Sequence, residues 1–298
     1  MSPNNDDRIH VSFWGTRGSI STPGRITEKY GGNTPCVSLR CGNVIVILDA
    51  GTGIRNLGLD LTEEFKGREA GLSLHLFLSH THWDHIQGLP FFQPAYLKEV
   101  RLAIHGSPRK ERFLESVLMG QMDYEYFPVS MSAFAADITI HEISEEVLQL
   151  GSLRIGWQEQ IYHPGGSVRY RFDTEGKRVV YATDVELDRI FGEKADVEGG
   201  GPAGEYMDFI DGADLLIADG QYTEEEYPGK MGWGHSSIPV LIEAALHAGV
   251  KQLAIFHHDP QHSDKFLDDQ WTRYRSVGSS GKHAMDLFWA REGMTLAV

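Results

Sequence analysis

The run Ser79-His80-Thr81-His82-Trp83-Asp84-His85 places three histidines and an aspartate within six positions. Imidazole nitrogen and carboxylate oxygen are donors that zinc accepts. The run follows Leu72–Leu78, where Leu72, Leu74, Leu76 and Leu78 alternate with Ser73, His75 and Phe77. That period of two is the pattern of a strand with one apolar face. Past a strand end the chain turns, so His80 and His82 can address one ion, and Asp84 and His85 a second. The plainer alternative is a polar loop with chance histidines. A lone His-x-His would leave that alternative standing. The full His-x-His-x-Asp-His, ahead of the helix-like Ile86–Pro90, argues against it.

Two ions need more donors than one loop supplies. His163 follows the strand-like Leu153–Tyr162, Asp184 follows Arg178–Tyr181, and His257 follows Gln252–Phe256. Each alone reads as a loop residue. As a set at strand C-termini they complete a ligand sphere, and a carboxylate such as Asp184 is able to bridge. His235, in Gly234-His235-Ser236-Ser237, reads either as a general acid or as a solvent-facing residue at a helix start. Histidine titrates near neutrality, as a proton donor should. Asp49 and Asp219 each end an apolar strand. They read as acceptors for the second N–H of a ligand histidine or as turn-forming aspartates. Arg17, in the Gly-rich loop Trp14–Ile20 and Tyr30–Thr34, reads as a phosphate contact or part of a surface turn. His258 and His262 read as further general-acid candidates, as contacts to a substrate phosphate or as residues bordering the site. His10, His75, His105, His141, His247 and His283 read as core or surface residues.

The elements that must position these groups are mostly short and β-branched. Ile9–Trp14 opens as a strand, and Cys36–Arg40 with Asn43–Leu48 reads as a hairpin turning at Cys41-Gly42. Leu102–His105, Ser167–Phe172 and Leu215–Ala218 are further strands, and Leu287–Val298 supplies a last one. Pro108–Met119 has helical composition. Ser237–His247 reads as a helix with Ser236 as its cap. Gly192–Glu205 reads as a Gly-rich, acidic loop. No Pro/Ser-rich linker divides the chain, so a single domain over 1–298 is expected. An insertion around 107–134, rich in Met, Tyr and Phe, suits a lid, a dimer surface or ordinary packing.

Composition narrows the classes. Across 298 residues, Lys+Arg 27 against Asp+Glu 42 gives a formal net charge of −15. A general nucleic-acid groove, which needs clustered Lys/Arg, is disfavoured. Cys36 and Cys41 are the only cysteines, which argues against a disulfide scaffold and fits a reducing, cytoplasmic compartment. No apolar run reaches membrane-spanning length. The polar start Met1–His10 shows no secretory signal. No Gly-x-Ser-x-Gly elbow is present to support serine chemistry.

The pattern resembles the metallo-β-lactamase superfamily, most of all the branch holding ribonuclease Z and the cyclic phosphodiesterases. The resemblance covers nearly the whole chain. It rests on His-x-His-x-Asp-His, Asp49-Ala50-Gly51, His163, Asp184, His257, and the segment from Gly234-His235-Ser236-Ser237 to His257-His258-Asp259-Pro260. It implies an α/β fold, a four-layer αββα sandwich, and a dinuclear metal-dependent hydrolase. By resemblance His80, His82 and His163 hold one ion. Asp84, His85 and His257 hold the other, with Asp184 bridging. The ligand histidine lies three residues before a proline, which selects His257 over His258. Asp84 and His235 would be the catalytic side chains.

The implied cofactor is a pair of divalent ions, zinc first, with manganese or iron as alternatives. Such ions bring the pKa of bound water to about 7, giving a bridging hydroxide as nucleophile. Two zinc ions, two aspartates and one hydroxide leave roughly +1, which favours an anionic substrate inside an acidic protein. The expected activity is a phosphodiesterase acting on a small anionic phosphodiester, cyclic nucleotides included. Alternatives on the same scaffold are a lactonase or thioesterase-like hydrolase, a tRNA 3′-processing endonuclease and a non-hydrolytic di-iron protein. The expected partners are the small anionic substrate and a second copy in a homodimer; no membrane is expected.

Overall fold

The structure is a computed structural model that describes residues 8–67, 71–107, 113–143, 147–192, 201–277 and 284–298. The expectations placed on Met1–Asp7, Pro108–Arg112, Glu193–Gly200 and His283 lie outside the described residues. The chain divides into two compact units. The first comprises Met1–Thr22, Gly31–Glu146 and Arg291–Ala297; the second comprises Pro23–Tyr30, Val147–Ala290 and Val298.

In the first unit the order is β1 (His10–Gly15), β2 (Cys36–Cys41), β3 (Val44–Leu48), α1 (Ile54–Glu64), β4 (Leu72–Leu78), α2 (Trp83–Ile86), β5 (Val100–Gly106), α3 (Leu114–Gln121) and β6 (Asp137–Glu142). The expected hairpin forms between β2 and β3, and Gly42 takes the left-handed φ of 55° that its turn needs. Strands β1 to β6 lie in chain order in one sheet, with Thr295–Ala297 antiparallel to β1 at its edge. From β3 onward the pairs β3–β4, β4–β5 and β5–β6 are parallel. The four leucines of β4 pack against Ile54, Leu57 and Leu61 of α1 and Leu114 and Leu118 of α3. The alternation therefore has its cause in one helix-covered face. The helical reading of 108–119 holds from Leu114 onward.

In the second unit the order is β7 (Leu148–Leu150), β8 (Leu153–Gln160), β9 (Ser167–Thr174), β10 (Lys177–Ala182), α4 (Leu187–Gly192), α5 (Pro202–Ile210), β11 (Leu215–Asp219), α6 (Ile238–His247), β12 (Gln252–Phe256), α7 (Asp264–Tyr274) and β13 (Asp286–Trp289). These seven strands form a second sheet, again in chain order. Its first three pairs are antiparallel and its last three parallel, the same sequence of pairings as in the first sheet. Its core joins Leu216, Leu253 and Ile255 to Tyr206 and Ile210 of α5 and Leu241 and Ala245 of α6.

Three expectations change. The single last strand Leu287–Val298 is two: β13 joins the second sheet, and β14 (Thr295–Ala297) joins the first. Gly293, at φ 77°, turns the chain between them. Ser237, not Ser236, is the N-cap of α6. Ser236 Oγ instead donates to Val185 O at 2.6 Å and accepts from Leu187 N at 3.1 Å, so it ties the start of α4. The end of the expected loop, Pro202–Glu205, is the first turn of α5, where proline fits because helix-start N–H groups lack intrahelical partners. Among the described residues no helix is long and apolar enough to cross a membrane.

Candidate metal centre

In the first unit the donors sit at the C-terminal end of β4 and on α2. His80 and His85 are buried, with ring centroids 4.2 Å apart. His80 Nε2 and His82 Nδ1 approach to 2.9 Å. His85 Nε2 lies 3.3 Å from Asp84 Oδ2. Donors sharing one ion at zinc bond lengths are about 2.8–3.4 Å apart for octahedral to tetrahedral angles. Both pairs fit that spacing.

The opposite ring nitrogens are held. His85 Nδ1 donates to Asp49 Oδ2 at 2.8 Å, which makes Nε2 the nitrogen able to take a metal. Asp49 also accepts from Ser79 N at 2.7 Å and from Ser79 Oγ at 2.8 Å. Ser79 Oγ in turn lies 3.1 Å from His80 Nδ1. The acceptor reading of Asp49 therefore holds. Ser19, which was not singled out, donates its backbone N–H to Asp84 Oδ2 at 2.8 Å.

In the second unit the donors follow β8, β10 and β12. His163, Asp184 and His257 are buried. His163 Nδ1 donates to Gly234 O at 3.0 Å and His257 Nδ1 to Gln221 Oε1 at 3.1 Å, so both present Nε2. The two oxygens of Asp184 face different rings: Oδ1 is 3.9 Å from His163 Nε2, and Oδ2 is 3.5 Å from His257 Nε2. His235 joins this unit's donor groups, once with His163 and Asp184 and once with Asp219 and His257. Its Nδ1 is 2.7 Å from Asp219 Oδ2. Burial raises the Asp219 carboxyl above its ordinary range, while His235 draws it down. Asp219 thus serves His235 rather than one of the proposed ligands.

Four non-glycine residues among those described have positive φ: Ser19 at 64°, Asp49 at 60°, Asp184 at 57° and His257 at 59°. All four belong to these two donor sets or touch them. Strain of this kind costs about 1–3 kcal/mol per residue and persists where the surroundings over-determine it. It leaves no mark in residue type or spacing, so the sequence carried no signal for it.

Arg17 is buried and donates Nε to Gly31 O at 2.8 Å, holding its loop rather than facing solvent. His258 Nε2 donates to Ala290 O at 2.7 Å, and His262 Nε2 pairs with Glu226 Oε1 at 2.9 Å. Cys36 and Cys41 are buried in β2. Glu186, which sequence reading missed, is fully buried. It accepts from Tyr227 Oη at 2.8 Å, Gly232 N at 2.7 Å and Gly234 N at 3.2 Å. A glutamate between Val185 and Leu187 was its one signal.

Comparison with known proteins places the chain in a family. Residues 45–258 match the model of the Beta-lactamase superfamily domain, and the chain belongs to that superfamily. It is 26% identical to the ribonuclease Z of Pyrococcus furiosus, over 86% of this chain and 88% of that one. A metallo-β-lactamase fold protein of Bacillus subtilis, YhfI, superposes with a TM-score of 0.67 at 18% identity, covering 98% of this chain and 100% of that one. Unliganded yeast PDE1 superposes with a TM-score of 0.67 at 14% identity, covering 98% and 99%. The fold is the metallo-β-lactamase fold expected from the sequence. With buried His/Asp donor groups of this kind, the chain is a metal-dependent hydrolase of the superfamily. Its donors are enough in number and type for a dinuclear divalent centre.

Proposed function

We propose that the protein is a dinuclear metal-dependent phosphodiesterase acting on a small anionic phosphodiester, cyclic nucleotides included. In this reading His80, His82 and His163 hold one ion and Asp84, His85 and His257 the other, with Asp184 shared. The observation that carries it is the divided orientation of Asp184, one oxygen toward His163 and the other toward His257. A carboxylate serving one ion would have no need to face both. Zinc, manganese and iron all suit five imidazoles and two carboxylates.

When bound, such ions supply a water deprotonated at neutral pH and a field that stabilises developing negative charge. The chain's own residues do the rest. Asp49, Gly234 O and Gln221 lock the ligand rings in one tautomer and one orientation. Ser19 N–H pins Asp84, so its carboxylate is oriented before substrate arrives. Asp219 holds His235 by Nδ1, which leaves Nε2 to carry a proton to a departing alkoxide oxygen. A hydrolase acting on an alkyl phosphodiester needs that donor, because an alkoxide leaves poorly unprotonated. The similarity to proteins named ribonuclease Z supports a phosphodiester as the bond cleaved.

The test is turnover of bis(p-nitrophenyl) phosphate against p-nitrophenyl butyrate and a γ-lactone, with Zn²⁺ or Mn²⁺ present. Preference for the phosphodiester supports the reading. Preference for the ester or lactone would replace it with the lactonase or thioesterase-like alternative.

A further inference from the structure

The mechanism leaves one well-built feature of the second unit unused: the loop from Tyr227 to Gly234. It ends beside His235 and is fastened from beneath by the three hydrogen bonds to buried Glu186. Lys230 N donates to Tyr227 O at 2.8 Å, and Trp233 N donates to Lys230 O at 3.0 Å. Gly232 and Gly234 flank Trp233 with φ of 85° and 87°, conformations that only glycine adopts cheaply. This anchored loop nonetheless holds the indole of Trp233 58% exposed. Its exposure is therefore a built position rather than slack in the chain.

One face of the ring is covered by Lys230, whose Nζ lies 4.0 Å from the ring centroid. The same ammonium is 5.8 Å from the ring of buried Tyr222, and Tyr222 packs edge-on against His235 at 5.9 Å. Trp233, Lys230, Tyr222 and His235 thus form a continuous series from an exposed aromatic plate to the proton donor. Lys230 is also the one Lys or Arg between Leu215 and Val250, in a chain of net charge −15.

We propose that Trp233 and Lys230 form a substrate subsite that takes a nucleobase on the outer face of the indole and the adjoining phosphate charge near the ammonium. This deepens the phosphodiesterase reading and rests on it: the substrate class becomes nucleotide phosphodiesters rather than phosphodiesters at large. Every base has a π-face, so stacking on tryptophan confers affinity without choosing among bases. The lysine polarises the plate from behind and supplies a cation beside it. An anchored loop also means that little ordering entropy is lost on binding.

The experiment compares two esters with one leaving group, thymidine 5′-(p-nitrophenyl phosphate) and methyl p-nitrophenyl phosphate, using the metal-loaded protein. Wild type is expected to show the lower KM for the nucleoside ester. Trp233→Ala should raise that KM about tenfold more than it raises the KM of the methyl ester, the size of one stacked base. Trp233→Phe should restore most of the difference, and Lys230→Met should raise KM on both esters. Equal effects of Trp233→Ala on the two esters, or none, would overturn the subsite. If wild type hydrolyses neither ester, the phosphodiesterase reading fails and calorimetric binding of thymidine 5′-monophosphate decides the subsite. Binding about tenfold weaker in Trp233→Ala upholds it, whereas equal binding, or no binding to wild type, removes it.

Discussion

In His85, His163 and His257 one ring nitrogen is held by a neighbouring acceptor. Asp49 receives only donors: Ser79 N, Ser79 Oγ and His85 Nδ1. Asp49→Asn preserves the shape and tolerates the left-handed backbone, but its NH₂ would meet a donor with nothing to accept it. Metal affinity should fall about 10–100-fold, measured by competition with a chromophoric chelator. Unchanged affinity would remove Asp49 from the centre. His235→Ala should slow alkyl phosphodiesters far more than nitrophenyl ones, because nitrophenolate leaves without a proton; equal losses would end its donor role. The candidate donors were legible in the sequence because His80 to His85 are adjacent and His163, Asp184 and His257 each follow an apolar strand. Gln221, Ser19 and Glu186 were not, since their partners lie far away in sequence and a polar residue in a loop advertises no particular partner.

At the level of elements, the chemistry gathers where strands end. Asp49, His80, Asp184 and His257 come just after β3, β4, β10 and β12. Alternation and apolar runs revealed these strands, whereas the division of the last segment into β13 and β14 was hidden, because both halves have strand-like composition. Gly234 shows how closely the loops are fitted. A Cβ there would lie 2.4 Å from His163 Nδ1, at a φ of 87°. Gly234→Ala should therefore displace His163 from its carbonyl partner and lower metal content while the circular dichroism spectrum stays folded. Full metal content would contradict this.

Away from the donors, β4, β5 and β6 carry His75, His105 and His141 in a stacked row, with centroids 5.7 and 5.1 Å apart. Burial, and then the neighbouring His75 and His141, lower the pKa of His105 to about 3. The unfolded chain takes up this proton near pH 6.5 and the folded one only near 3. Its contribution to stability is thus complete above about pH 6.5 and is lost as pH falls toward 3. Urea midpoints at pH 7.5 and 5 should differ less in His105→Phe, which retains the stack on Phe77, than in wild type. An identical pH dependence would show that His105 is not responsible.

For the whole molecule, the two sheets with the same succession of pairings, the His/Asp donor groups and the superfamily match agree on a metal-dependent hydrolase. The fold class was legible because a short histidine motif behind an alternating strand is specific. The division of the chain into two units, each returning a short segment to the other's run of sequence, was not, because contacts rather than composition define it. Ligands that bind only the folded state stabilise it, by about 2.7 kcal/mol at a hundredfold excess over Kd. Chelator should therefore lower the melting temperature and Zn²⁺ or Mn²⁺ restore it; a melting curve indifferent to both would speak against a resident ion. The most direct test of the centre itself is elemental analysis of wild type and Asp184→Asn. Two divalent ions per wild-type chain, and one or none in the variant, are expected. Wild type without ions, or a variant that retains both, would contradict the shared carboxylate on which the account depends.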